Sequence, residues 1–262
     1  MIVFAVDMDG TFLNSNNEYN REYFKRILTE YKNQFKFIVA SSNTTHHLKS
    51  FFEDESIYYI GSNGAVIMYQ DKLIRTQYVS MSDVKETIAL LDRYAITSYV
   101  VSTLDVSYVL NNASDLFISR MQRYYSDLTV VDDIQEALIT KITIELDDSQ
   151  RERTSDIITA LNLQLQESIA VDSGFNCIDI IHQATNKAVA IQYVLDQMDD
   201  KIDCLYTFGD SDNDIEMLQM TTHSYAMDNA KESVKSVANH VCLSNDDDGV
   251  LITIESVLKK EL

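Results

Sequence analysis

The sequence predicts an α/β protein in which a doubly wound, mostly parallel sheet carries a second, α+β unit inserted into it. Three observations predict this. Two short apolar runs, Val3-Phe4-Ala5-Val6 and Cys204-Leu205-Tyr206-Thr207-Phe208, each give way abruptly to acids and a glycine, the pattern of buried parallel strands whose carboxyl ends face a ligand. Stretches with helical spacing of apolar residues follow such runs, as at 19–31. From about residue 82 the order becomes helix, strand pair, helix, strand, helix, strand pair, which describes an α+β unit set into an α/β one.

The first strand ends in Asp7-Met8-Asp9-Gly10-Thr11. Asp7 and Asp9 have period-two spacing, so a regular strand would point both to one face, and Gly10 permits a sharp turn and a close backbone approach. After the helix at 19–31, the next strand covers 35–40 and runs into Ser41-Ser42-Asn43-Thr44-Thr45 before a helix that reaches Phe52. Hydroxyls there are candidate caps, and a helix amino terminus is also a candidate anion site. A strand at 57–60 leads into Gly61-Ser62-Asn63-Gly64-Ala65, of which Asn63-Gly64 is also a good turn dipeptide. Residues 66–79 read as paired strands leaving the core.

The inserted unit reads as a helix at 84–94, a strand pair at 98–110, a helix at 116–124, a strand at 139–146, a helix at 154–163 and strands near 169–171 and 175–181. This divides the chain into a first core part at 1–81, an inserted domain at 82–185 and a second core part at 186–262. The core resumes at Asn186-Lys187, opening a helix to about residue 198. The helix macrodipole disfavours a lysine at a helix start, so Lys187 hints at a local anion.

Composition narrows the function. With 262 residues and 45% hydrophobic content, the chain can bury a substantial core. A formal net charge of -20 argues against nucleic acid or an anionic membrane surface as a partner. Cys177, Cys204 and Cys242 lack Cys-x-x-Cys spacing, so neither a disulfide framework nor a zinc site is expected, and a reduced, cytoplasmic location fits. No apolar run reaches the roughly 18 residues of a membrane span, and no basic segment with a cleavage pattern opens the chain, so neither insertion nor secretion is expected. The second strand's acids, Gly209-Asp210-Ser211-Asp212-Asn213-Asp214, would meet those of the first. Converging carboxylates repel unless a cation or proton compensates, which points to a hard divalent cation with oxygen ligands.

These two acidic stretches resemble the first and fourth motifs of haloacid dehalogenase superfamily phosphatases, specifically the Cof-like group of small-molecule phosphatases with a large C2-type cap. The resemblance runs from Val3 to Gly249, with the middle matching in architecture only. It implies a Rossmann-like core, an inserted α+β cap, Mg²⁺ as cofactor and hydrolysis of a phosphate ester through an aspartyl-phosphate. By the same resemblance Asp7 is the nucleophile and Asp9 the proton donor and later acceptor. Asp7, Asp210 and the Asp9 backbone carbonyl would hold the metal, with Asp214 supporting it directly or through water. Ser41, Lys187 and Asn213 would hold the phosphoryl oxygens, and Ser42, Asn43, Asn63 and Asn229 are candidate pocket residues.

The sequence departs from the group at three points. Ala40-Ser41-Ser42-Asn43 stands where the group reads Ala-Thr-Gly-Arg, so a neutral amide replaces a cation at Asn43; Ala188 and Asp228 stand where glycine is usual. Asp212 reads as solvated or capping, and His46 and His47 as surface or structural residues. The expected substrate is a small phosphorylated metabolite, a sugar phosphate or a phosphorylated cofactor. A phosphohexomutase and a non-catalytic phosphometabolite-binding regulator stay open as alternatives, since the motifs choose neither leaving group nor acceptor.

Overall fold

The computed structural model describes residues 1–52, 56–125, 127–134, 137–147, 149–174 and 176–261, and its strands fall into two sheets. The first sheet begins with β1 (Ile2–Val6), α1 (Arg21–Glu30), β2 (Phe35–Ala40), α2 (Thr45–Phe51), β3 (Ile57–Gly61), β4 (Val66–Tyr69) and β5 (Lys72–Thr76). Next come α3 (Met81–Arg93), β6 (Tyr99–Ser102), β7 (Ser107–Leu110), α4 (Asp115–Met121), β8 (Leu128–Val131), β9 (Lys141–Glu145), α5 (Thr154–Asn162), β10 (Ser168–Gly174) and β11 (Cys177–His182), whose strands form the second sheet. The chain then returns to the first sheet with α6 (Lys187–Gln197), β12 (Cys204–Gly209), α7 (Ile215–Leu218), β13 (Ser224–Ala226), α8 (Glu232–Lys235), β14 (His240–Val241) and α9 (Gly249–Glu261).

The eight-stranded sheet runs β14-β13-β12-β1-β2-β3-β4-β5, parallel from β14 to β3. Its middle is buried on both faces, and β1 shows why an unbroken apolar strand is needed there. Phe4 and Val6 pack with Phe24 and Ile27 of α1 and Ile254 and Leu258 of α9. Val3 and Ala5, of opposite parity, pack with Ala190, Ile191 and Val194 of α6. Each fully buried Val, Ile, Leu or Phe among them contributes about 1.5–3 kcal/mol. Asp7 continues the parity of Val3 and Ala5, on the side where α6 begins.

Residues 66–79, expected to leave the core, instead extend its sheet: β4 pairs antiparallel with β3 and β5 with β4. The Tyr58 and Tyr69 rings, directly opposite in that register, stack 3.9 Å apart and pin the hairpin to the edge. The cap of α2 is Thr44, whose side chain accepts from the His47 amide, so Ser41 and Ser42 are left for other contacts.

The six-stranded sheet runs β10-β11-β9-β6-β7-β8 and is antiparallel except between β7 and β8. The sequence reading contains no counterpart of β8, an edge strand whose residues are half-buried or exposed on both sides and so show no apolar alternation. Phe175, where that reading starts the last strand of the insert, lies outside the described residues. Helices α3 and α5 cover one face of this sheet, packing Leu90, Leu91, Ile157 and Leu161 against Ile142, Ile144, Ile178 and Ile180. Lys141, Thr143 and Asp179 have the opposite parity and lie on the other face.

Candidate active site

The ladder from β1 continues one residue beyond the strand, with the Asp7 amide donating to Phe208 O at 3.1 Å. The chain then turns back on itself: Phe12 N donates to Asp7 O (3.2 Å) and Leu13 N to Met8 O (2.8 Å). Gly10 permits that turn at φ +78°, and a Cβ there would lie 2.7 Å from Asp210 Oδ2. Gly209 ends β12 under a similar restriction, since a Cβ on it would come within 2.5 Å of the Asp214 Cβ. Gly10 therefore lets the two acidic loops approach more closely than a side chain would permit, and Gly209 lets the second loop fold tightly back onto its own strand end.

Three carboxylates, from Asp7, Asp210 and Asp214, each place an oxygen within 4.8 Å of the others. Lys187 reaches into this cluster from the first residue of α6, whose cap is the Asn186 side chain accepting from Val189 N at 2.7 Å. Its Nζ donates to Asp7 Oδ1 and to Asp214 Oδ1, each at 2.6 Å. Lys187 is 1% exposed, Asp7 5% and Asp214 0%. The anion expected from a lysine at a helix start is thus an internal one. Asp214 is fixed from its other oxygen, which accepts from the amides of Asp210 and Ser211 at 3.0 Å each. Asp210 accepts from Thr11 Oγ1 (2.9 Å) and Ser211 Oγ (3.1 Å).

The charges do not balance. Burial pushes the Asp7 carboxyl well above its ordinary value, and the neighbouring Asp214 carboxylate pushes the same way, against the opposing pull of Lys187. Asp210 is raised by burial and by Asp214. Burial disfavours the Lys187 charge, yet Asp214 and Asp7 hold its ammonium above its ordinary value. One ammonium faces three oxygen-donor acids, so the donor set fits a hard divalent cation, which would offset the remaining negative charge.

Asp9 lies beyond this cluster, its Oδ2 accepting from Asn43 Nδ2 at 2.7 Å. Asn43 therefore meets the site as an amide donor at the position where the resembling group carries arginine. Burial raises the Asp9 carboxyl, with His47, Lys187 and the Asn43 bond opposing. His47 is half-buried and packs edge-on against Phe51, centroids 5.1 Å apart, and its field on Asp9 was not legible in the sequence. The signal available was its place one turn into the helix that follows Asn43.

Ser41 is buried; its Oγ accepts from Asn43 N (3.1 Å) and its carbonyl from Asn63 N (3.0 Å). Ser62 and Asn63 both adopt left-handed backbone, φ 51° and 55°. That conformation costs non-glycine residues on the order of 1–3 kcal/mol. It is held by the Ser62 N to Asn43 O bond (2.8 Å) and places the Asn63 Oδ1 to accept from Asn213 Nδ2 at 3.1 Å. Ser42 is half-buried in the same loop. Asn229 is exposed, and ties two loops together by donating to Gly10 O at 2.7 Å and accepting from Asn245 N at 3.1 Å. Asp212 pairs with Lys231 at 2.7 Å, away from the acid cluster.

A parallel sheet whose central strand delivers an acid pair, met by a buried lysine and a second acidic loop, defines the class. The chain belongs to the haloacid dehalogenase-like hydrolase family, whose model matches residues 4–254, and it is a phosphoric monoester hydrolase. It is 32% identical to the 5-amino-6-(5-phospho-D-ribitylamino)uracil phosphatase YbjI of Escherichia coli, over 98% of this chain and 96% of that protein. A Bacillus subtilis protein named for the same activity, YitU, is 23% identical over 94% of this chain and 93% of its own. The crystal structure of SMU.1108c from Streptococcus mutans superposes with a TM-score of 0.90 at 32% identity, covering 98% of each chain. Among the described residues no helix is long and apolar enough to cross a membrane.

Proposed function

We propose that the chain hydrolyses a small phosphorylated metabolite, with a phosphorylated ribityl compound of the 5-amino-6-(5-phospho-D-ribitylamino)uracil kind as the substrate. The observation that carries the reaction is the buried Lys187 held between Asp7 and Asp214 inside an acid cluster. The substrate class rests on the names of the two ribitylaminouracil phosphatases the chain resembles.

In this reading residues 1–81 and 186–262 form the catalytic core and 82–185 a cap over it. An Asp7 carboxylate oxygen attacks phosphorus, forming an aspartyl-phosphate as the bond to the leaving oxygen breaks. Asp9, whose raised carboxyl favours the protonated form, gives its proton to that oxygen and then takes one from the water that attacks the intermediate. Asn43 orients Asp9. Lys187, Ser41 and Asn213 hold the phosphoryl oxygens, with Lys187 supplying the positive charge. Asp7, Asp210, Asp214 and the Asp9 carbonyl would hold Mg²⁺, which when bound offsets the repulsion between carboxylates and phosphate.

Phosphate release from 5-amino-6-(5-phospho-D-ribitylamino)uracil in the presence of Mg²⁺ tests this, beside a panel of sugar phosphates. The expected outcome is preference for the ribityl compound and a loss of at least ~10³-fold in kcat for Asp7→Asn. Turnover that survives in Asp7→Asn would remove the nucleophile assignment. A better substrate among hexose phosphates would remove the substrate assignment alone.

A further inference from the structure

A second buried lysine and aspartate stand outside the residues used above. Lys141 opens β9 and Asp179 lies in β11, where it is paired in register with Thr143. They are 3% and 1% exposed. Lys141 Nζ lies 3.5 Å from Asp179 Oδ2, but its short contact is with the carbonyl of Ser42, at 2.8 Å. Asp179 Oδ1 accepts from Thr143 Oγ1 and Oδ2 from Asn63 Nδ2, both at 2.8 Å. The pair therefore crosses from the six-stranded sheet to the other sheet at two points.

Both landing points adjoin groups given chemical work. Ser42 sits between Ser41 and Asn43, and the Asn43 amide holds Asp9. Asn63 passes the contact on to Asn213, the residue before Asp214. The two loops are also tied to each other through Ser62 N to Asn43 O and Asn63 N to Ser41 O. A buried ion pair is a poor choice for simple adhesion, because apolar residues of the same volume hold two surfaces together as well or better. What it adds is direction, since each hydrogen bond demands a distance and an angle.

We propose that Lys141 and Asp179 are positioning residues for the hydrolysis: from the inserted unit they fix the 41–43 and 61–64 loops so that Asn43 aims Asp9 at the leaving oxygen and Asn63 aims Asn213 at the phosphoryl group. This rests on the roles given to Asp9 and Asn213 above. Docking of the insert then completes the site as well as covering it.

The test uses Lys141→Met, Lys141→Arg and Asp179→Asn in the full chain, with two readouts. Amide hydrogen exchange is expected to rise at least ~10-fold over 41–43 and 61–64 in the Met and Asn variants, with β1 and β2 unchanged, and to recover in Lys141→Arg. Hydrolysis of glycerol 3-phosphate with Mg²⁺ should lose about 10²-fold in kcat with KM nearly unchanged. In single turnover, phosphoryl transfer from p-nitrophenyl phosphate, whose leaving group needs no proton, should lose far less in Lys141→Met, which acts through Asn43 and Asp9, than in Asp179→Asn, which also acts through Asn213. Equal single-turnover losses on both esters in Lys141→Met, or exchange rising evenly along the chain, would reduce the pair to a structural contact and overturn the proposal. Unchanged exchange in both loops would overturn it as well. Because exchange requires no turnover, it decides whether the pair anchors the two loops even where wild-type protein hydrolyses neither ester, and the kinetic comparison is then made on the ribityl substrate proposed above.

Discussion

Two buried lysines, one in each sheet's territory, solve the problem of a charge out of water in different ways. Lys187 makes two 2.6 Å contacts to carboxylates, yet its surroundings hold more acid than it can compensate. Lys141 faces a single acid, and the remaining capacity of that acid is filled by Thr143 and Asn63. The first arrangement keeps an excess of negative charge and is fitted to receive a cation. The second is electrically closed and can only orient its neighbours. A buried ion pair thus has no fixed meaning; the count of charges around it decides what it can do.

Variants that alter that count sharpen the contrast. Lys187→Met leaves three carboxylates together without their ammonium, and should cost about 3–5 kcal/mol in chemical denaturation at neutral pH, together with all measurable turnover. Stability unchanged within error would show that the cluster is not held by charge compensation.

The next effect in size concerns the metal. Mg²⁺ at a hundred times its Kd should stabilise wild-type protein by about 2.7 kcal/mol, read as a rise in Tm that EDTA reverses. Asp210→Asn should blunt that rise, whereas Asp179→Asn should keep it, since the closed pair takes no part in binding the cation. A full response in Asp210→Asn would remove that carboxylate from the ligand set.

The smallest effect carries the opposite sign. Asp7 is raised in the folded state above its ordinary 3.8, so its ionised form opposes folding at neutral pH. Asp7→Asn should then be more stable than wild type without metal, by about 1 kcal/mol or roughly 2–4 °C in Tm. The advantage is full above the raised folded value, shrinks as pH falls through it, and is gone below 3.8, where wild-type Asp7 is protonated in both states. A pH-independent difference would mean that the effect is packing and not charge.

What could be read from the sequence follows the same division. Asp7, Asp9 and the acids of 209–214 stand at the ends of apolar runs, and Lys187 opens a helix where its charge is unwelcome, so local pattern points to them, while the choice of Asp210 and Asp214 over Asp212 rests on the family resemblance. Lys141 and Asp179 carry no such mark. They lie on separate strands, and only strand register and the docking of one sheet on loops of the other bring them to Ser42 and Asn63. Edge strand β8 escaped for a related reason, since little of it is buried. The hairpin of β4 and β5 was legible as strands but not as part of the core sheet, because its attachment depends on pairing with β3.

The position of β1 also has a consequence for the order in which the enzyme is made. This strand is synthesised before the rest of its sheet, but one of its two neighbours, β12, begins only at Cys204, after the whole insert. A growing chain on the ribosome therefore exposes Asp7 long before Lys187, Asp210 and Asp214 exist to surround it. Pairing over so great a separation is slow to form, and domains assemble in the order in which they emerge. The strand that carries Asp7 waits until the insert has been translated, and the acid cluster is complete only when β12 closes the sheet.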